Sequence, residues 1–119
     1  MATFSDAYWR QVCIQGKMVD SGMYEGVDED LVIPQDVPHL CSYHIQQLVS
    51  EIGEVLEADK RWKNFRNKKF DRNAKLEEIA DCFIVLMNIS MFSGYRPGEI
   101  MDAIAKKQDD VLKRIDKEI

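Results

Sequence analysis

The chain is poor in the residues that most enzymes use for redox, thiol or transition-metal chemistry. It holds three cysteines, Cys13, Cys41 and Cys82, odd in number and far apart. No CxxC and no Cys/His zinc spacing occurs, so a disulfide framework or zinc site is excluded and reduced thiols in a cytoplasmic setting are expected. The two histidines, His39 and His44, belong to no Glu-x-x-His pair, which argues against a di-iron bundle. His44 reads as a packing or helix-surface residue rather than a catalyst. Neither GxxxxGK[ST] nor GxGxxG occurs, so P-loop and dinucleotide-binding folds lack their fingerprints. The start, MATFSDAYWRQV, shows no cationic segment followed by an apolar run, so a signal peptide is not expected. The longest apolar stretch, residues 82–92, is interrupted by Asn88 and Ser90 and is too short to span a bilayer. A net charge of −5 argues against general nucleic-acid coating, which needs a surplus of Lys and Arg.

What remains is a 119-residue chain that is 45% hydrophobic and 31% charged, the balance of one globular domain over residues 1–119. Helical periodicity dominates and strand signals are weak, so an all-α, four-helix bundle-like fold is expected. The first helix is placed at about residues 6–20, with Ser5 as N-cap and Gly22 as stop signal. Residues 21–38 hold two glycines, two prolines and five acids and read as a loop, with Leu31-Val32-Ile33 as a short extended piece that packs. The second helix starts at Pro38 or Ser42 and runs to about Lys63, with Ile45, Leu48, Val49, Ile52, Val55 and Leu56 as its apolar stripe. The third runs from Ala74 or Lys75 to Gly94. Its CFIVLMNISMF segment is apolar nearly all round, which a small monomer can hardly bury, so a homodimer or homotetramer is expected. The fourth starts at Pro97, a good first-turn residue, with Ile100, Ile104, Val111 and Ile115 as its buried face.

Four acids stand out from this frame. Glu51/Glu54 and Glu78/Asp81 are two pairs at i, i+3 spacing, which places each pair on one helix face. Packed together, two such helices would gather four oxygen ligands, the donor type that Mg²⁺ prefers. Glu51 and Glu54 lie beside the apolar stripe of their helix, roughly in line with Gln47, Ala58 and Trp62, so that this side stripe could line a pocket. Taken alone the first pair reads better as solvated charge. Asp81 opens the apolar run, is a poor helix-interior residue, and is costly to bury unpaired. Glu77 and Glu78 fit a first-turn, dipole-favoured role better than Asp81 does. Between the pairs, Lys60, Arg61, Lys63, Arg66, Lys68, Lys69, Arg72 and Lys75 make up eight of the chain's 16 Lys and Arg residues. Acids that hold Mg²⁺ beside bases that hold phosphate point to phosphoryl transfer.

At these residues the chain resembles the MazG-like all-α nucleoside triphosphate pyrophosphohydrolase superfamily. The family signature, EExxE, a spacer, then ExxD, is matched by SEIGEVLEADKRW and KLEEIADCFIVLMN, with Ser50 in place of the first acid. The resemblance covers roughly residues 45–115; the first 40 residues carry little of it. It implies Mg²⁺-dependent cleavage of a (deoxy)nucleoside triphosphate to the monophosphate and pyrophosphate, with Mn²⁺ as a substitute metal, and a role in nucleotide-pool cleansing. It implies Glu51, Glu54, Glu78 and Asp81 as metal ligands, one of Glu51 and Glu54 positioning the attacking water. Substrate contacts implied are Gln47, Trp62, Lys63, Asn88, Lys106 and Asp110, where Asp110 stands in place of an Asn often found four residues after the Lys. Rival readings are a dUTPase-like or phosphoribosyl-ATP pyrophosphohydrolase-like specificity, and a non-enzymatic helical interaction protein.

Overall fold

A computed structural model describes residues 2–63 and 70–118. Arg66, Lys68 and Lys69 of the basic stretch lie outside the described residues. Four helices appear, α1 (Phe4–Asp20), α2 (Pro38–Ala58), α3 (Arg72–Met91) and α4 (Pro97–Glu118), with a 3₁₀ turn at Lys60–Trp62. The all-α expectation holds: no strand occurs among the described residues, only an isolated bridge between Asp36 and Ser93. None of the described helices is long and apolar enough to cross a membrane.

Helix ends follow local chemistry, and several differ from expectation. Thr3, not Ser5, caps α1. Its hydroxyl accepts from the Asp6 N–H at 3.1 Å, and the Asp6 carboxylate accepts from the Thr3 N–H at 3.1 Å. The acid three residues on decides between the two hydroxyls, because only Thr3 forms a reciprocal capping box. Gly22, with φ 74°, follows the last turn as expected. α2 begins at Pro38 and stops at Ala58 rather than Lys63. Asp59 leaves the helix, and its side chain caps the 3₁₀ turn by accepting from the Arg61 N–H at 3.1 Å. α3 begins at Arg72, two or three residues before its expected start at Ala74 or Lys75, because Asp71 accepts from the N–H groups of Asn73 and Ala74. It ends at Met91, and Gly94 sits beyond it at φ 88°.

α2 and α3 run antiparallel. Cys41 at the start of α2 meets Ser93 just past α3, with Sγ and Oγ 3.3 Å apart, while Asp59 meets Lys75 at the opposite end. α1 packs against α3. The core lies where the starts of α1 and α2 meet the end of α3, built from Tyr8, Ile33, Leu40, Met91 and Phe92. The loop before α2 seals this end. Ile33 packs into the core while Val32 faces solvent, and the Gln35 and Val37 N–H groups donate to the Met91 and Phe92 carbonyls at 2.9 and 2.8 Å. A Cβ at Gly94 would lie 3.3 Å from the Asp36 nitrogen, so this close approach favours glycine.

The α4 face expected to be buried is open, and so is the apolar stripe of α2. On α4, Ile100 is half-buried, but Ile104, Val111 and Ile115 are exposed. On α2, Ile45, Val49, Ile52 and Leu56 are exposed, Val49 at 69%. α3 buries Val85, Asn88 and Met91 and leaves Phe83, Ile84 and Leu86 largely uncovered. Single helices read correctly as amphipathic or all-apolar therefore have more apolar surface than the described part of one chain covers.

Candidate functional site

The antiparallel register of α2 and α3 brings acids from the two helices together. Carboxylate oxygens of Glu51, Glu78 and Asp81 lie within 4.8 Å of one another. Glu54 is outside this close group and is exposed, yet near enough for its charge to act on Glu78. Partial burial pushes the Glu78 carboxyl above its ordinary value, and the charges of Asp81, Glu54, Glu51 and Glu77 push the same way. The neighbouring Cys82 thiol is also raised, first by burial and then by Glu51, Asp81 and Glu78, so it is a poor nucleophile.

Burial falls differently from the sequence argument. Asp81 is exposed, while Glu51 and Glu78 are half-buried. Glu51 and Glu78 are thus the acids whose placement needs a compensating charge. The dipole account of Glu77 and Glu78 also fails, because α3 starts at Arg72 and its first turn holds no acid. Among the described residues no ion pair involves Glu51, Glu54, Glu78 or Asp81; the pairs are Lys60–Glu57, Arg61–Asp59, Lys75–Asp59 and Lys106–Asp110. An all-oxygen donor set, mutually repelling and without a basic partner, fits a hard divalent cation such as Mg²⁺.

Glu51 and Asp81 stand on the rim of a cleft of about 320 Å³ between α1, α2 and α3. Its interior mixes amide and aromatic side chains with the apolar Ile14, Met18, Ile84 and Val85. Gln11, Gln15, His44 and Asn88 are all more than nine-tenths buried and line it, with Gln47 half-buried one turn before Glu51. The Gln11 Nε2 donates to Asn88 Oδ1 at 2.9 Å, and the Tyr24 hydroxyl donates to Gln15 Oε1. His44 stacks on Phe92, centroids 5.4 Å apart and planes 3° from parallel, and its Nδ1 lies 3.1 Å from Gln47 Oε1. Burial lowers its pKa, so the ring is neutral and acts as packing, as the sequence reading expected. A second hollow of about 430 Å³ lies on the other side of Gln11, but its one carboxylate, Asp6, is committed to capping α1.

Of the residues singled out for substrate contact, Gln47 and Asn88 reach the cleft. Trp62 and Lys63 lie past the end of α2, away from its lining. The Trp62 indole donates to the Leu56 carbonyl at 3.2 Å, and the Lys63 ammonium sits 5.3 Å from the Trp62 ring centroid. Lys106 and Asp110 face each other across 3.7 Å on the exposed part of α4. Arg61 and Lys75 of the basic stretch are committed to Asp59.

Gln11, Gln15 and Tyr24 were missed from sequence as site residues. A signal existed: the buried positions of α1 are Tyr8, Gln11, Gln15 and Val19, one stripe with two amides at its centre. No family model, curated protein or solved structure matches the chain.

Proposed function

We propose that this chain is a Mg²⁺-dependent nucleotide pyrophosphohydrolase, converting a (deoxy)nucleoside triphosphate to its monophosphate and pyrophosphate. The reading rests on the meeting of Glu51, Glu78 and Asp81, three carboxylates from two helices with oxygens within 4.8 Å, two of which, Glu51 and Asp81, also line a cleft. In this reading those three acids hold Mg²⁺, which Mn²⁺ replaces, and the metal supplies neutralisation of phosphate charge. Glu54, beside the close group, orients a water and takes its proton. The water oxygen bonds to one phosphorus of the α–β anhydride as the bond from that phosphorus to the bridging oxygen breaks; attack at the α-phosphorus expels pyrophosphate, attack at the β-phosphorus expels the monophosphate, and the two products are the same. Gln47 and Asn88 contact the nucleoside in the cleft. The uncovered apolar faces of α2, α3 and α4 support association as a dimer or tetramer. The role that fits is nucleotide-pool cleansing in the cytoplasm.

The test is a panel of ribo- and deoxyribonucleoside triphosphates with Mg²⁺, with monophosphate and pyrophosphate quantified separately. Turnover that EDTA abolishes is expected. Absence of both turnover and nucleotide binding at high protein concentration, with Mg²⁺ or Mn²⁺, overturns the reading in favour of a non-enzymatic helical interaction protein.

A further inference from the structure

His44 does more than fill space, because both of its nitrogens face polar groups. The side chain is 2% exposed and stacks on Phe92. Its Nδ1 lies 3.1 Å from Gln47 Oε1, and its Nε2 lies 3.4 Å from the Tyr24 hydroxyl, which donates to Gln15 Oε1. A neutral imidazole has one proton, so only one nitrogen donates. Two arrangements satisfy this. In the first, Nδ1–H donates to the Gln47 carbonyl, and the bare Nε2 is a second acceptor beside the Tyr24 hydroxyl. In the second, Nε2–H points at the Tyr24 oxygen, and the Gln47 amide turns over to put its amino group on Nδ1.

Distance and charge choose the first. The Nδ1 contact, at 3.1 Å, falls within the usual N–H···O range of about 2.7–3.2 Å, and the Nε2 contact, at 3.4 Å, falls outside it. Turning the amide over would also aim its oxygen toward the cleft, one helical turn from the Glu51 carboxylate, which repels it. With Oε1 held on the ring, the planar amide keeps its amino group on the other side. That group has no partner among the described residues, where no enclosed side-chain nitrogen or oxygen lacks one. It is therefore open to the cleft that Gln47 lines together with Glu51 and Asp81. An N–H donor fixed beside the acids complements an oxygen of a bound nucleotide. Fixing it in the free protein removes the ordering cost that a loose glutamine incurs on binding.

We infer that His44 is a positioning residue, holding the Gln47 amide so that its amino group, not its oxygen, meets a nucleotide oxygen next to the acid site. The inference rests on the nucleotide reading of that site, and it sets no base preference.

Two measurements test it. Nitrogen-15 NMR of the histidine rings near neutral pH reads the tautomer without substrate, the His44 signals being those lost in His44→Phe. A protonated Nδ1 and a bare Nε2 are expected. The second is kcat/KM with Mg²⁺ for dUTP, dCTP, dATP and dGTP in His44→Phe, Gln47→Leu and the double variant, each shown to be folded by circular dichroism. Gln47→Leu should lower kcat/KM about ten- to a hundredfold on the triphosphate used best. His44→Phe, which retains a ring on Phe92, should lower it about tenfold. The double variant should be no worse than Gln47→Leu, because His44 acts only through Gln47. His44→Asn, whose amide reaches about as far as Nδ1, should recover part of the loss. Losses that multiply in the double variant make His44 structural only and overturn the inference while the hydrolase reading stands. A protonated Nε2 with a bare Nδ1 overturns it whatever the turnover. If no triphosphate is turned over, the hydrolase reading falls, and the same comparison is made on the Kd of dUMP, dCMP, dAMP and dGMP by calorimetry. There a double variant no worse than Gln47→Leu upholds the inference, and multiplied losses or no binding overturn it.

Discussion

The Lys75 ammonium donates to Asp59 Oδ2 at 2.9 Å and so ties the first turn of α3 to the end of α2. The same carboxylate takes two N–H groups of the Arg61 guanidinium, at 2.8 and 2.7 Å, and that guanidinium lies over the Phe70 ring. Lys75 stands one turn before Glu78, so this clasp joins α2 and α3 next to the acid site. Arg61, then Lys75, hold the Asp59 carboxyl far below its ordinary 3.8. A depressed carboxylate contributes stability above its unfolded pKa and loses it as pH falls toward the folded value. Asp59→Asn should therefore lower the thermal midpoint at pH 7, on the order of 5 °C. The gap from wild type should close as pH drops below about 4. Thermal melts from pH 3 to 7 check this, and identical curves would refute the clasp.

The acids should trade stability against activity. In Glu78 the folded state favours the protonated form, so its contribution to stability is present at low pH and is lost as pH rises through the folded pKa. Glu78→Gln removes one of the mutually repelling charges, and the metal-free protein at pH 7 should melt at the same temperature as wild type or higher. Turnover should nevertheless fall by more than about a hundredfold, since even outer partners of metal ligands cost about 10–100-fold. Asp81→Asn should behave alike. Glu57→Gln, which removes only a surface pair with Lys60, should leave turnover unchanged. A fully active Asp81→Asn enzyme would mean that the metal site is misplaced.

Metal binding should be visible without substrate. A ligand present at a hundred times its Kd stabilises the fold by about 2.7 kcal/mol. In a domain of this size that is an increase in Tm on the order of 10 °C. Mg²⁺ titration by differential scanning fluorimetry should show a saturating increase in wild type and none in Asp81→Asn. A Tm indifferent to both Mg²⁺ and Mn²⁺ would count against the carboxylate group as a cation site.

The helices were legible in the sequence because apolar periodicity and caps are local, and the acid pairs because i, i+3 spacing is local too. What lay beyond it was register between helices. Nothing in SEIGE says that Glu51 rather than Glu54 meets Glu78 and Asp81; that depends on how α2 slides along α3. Trp62 seemed to continue the Glu51/Glu54 stripe only because α2 was extended past Asp59, where the helix ends. Gln11 and Gln15 were passed over because glutamine on a helix usually faces water, and only their place between Tyr8 and Val19 marks them as interior.

His44 should make the protein acid-sensitive in a definite window. Burial lowers its pKa below the ordinary 6.5, against the smaller opposing pull of Gln47. The unfolded chain then binds more protons than the folded one, so the histidine's contribution is full above about pH 6.5 and is lost as pH falls through the folded value. His44→Phe retains an aromatic ring against Phe92 and should flatten the pH 5–7 part of the stability profile. Urea melts across that range measure it. A profile unchanged by the substitution would assign the acid sensitivity to other groups.

The open apolar faces lead to a prediction about assembly. Ile104, Val111 and Ile115 on α4, and Ile45, Val49 and Ile52 on α2, are exposed in one chain, although fully burying such side chains is worth about 1.5–3 kcal/mol each. A second copy packed on them would offer the same faces and would cover both kinds at once. Light scattering at micromolar concentration should give a dimer or tetramer. Ile104→Glu and Val49→Glu, made separately, each place a charge in a face that such packing would cover and should shift the equilibrium toward smaller species. Each lost contact is repeated by symmetry, so the dissociation constant should rise by about a hundredfold or more. If only the α4 variant dissociates the assembly, α4 is the joining face; if only the α2 variant does, the α2–α3 hairpin is. A wild-type protein that stays monomeric at high concentration would refute the assembly, and the exposed stripes would then need a different partner.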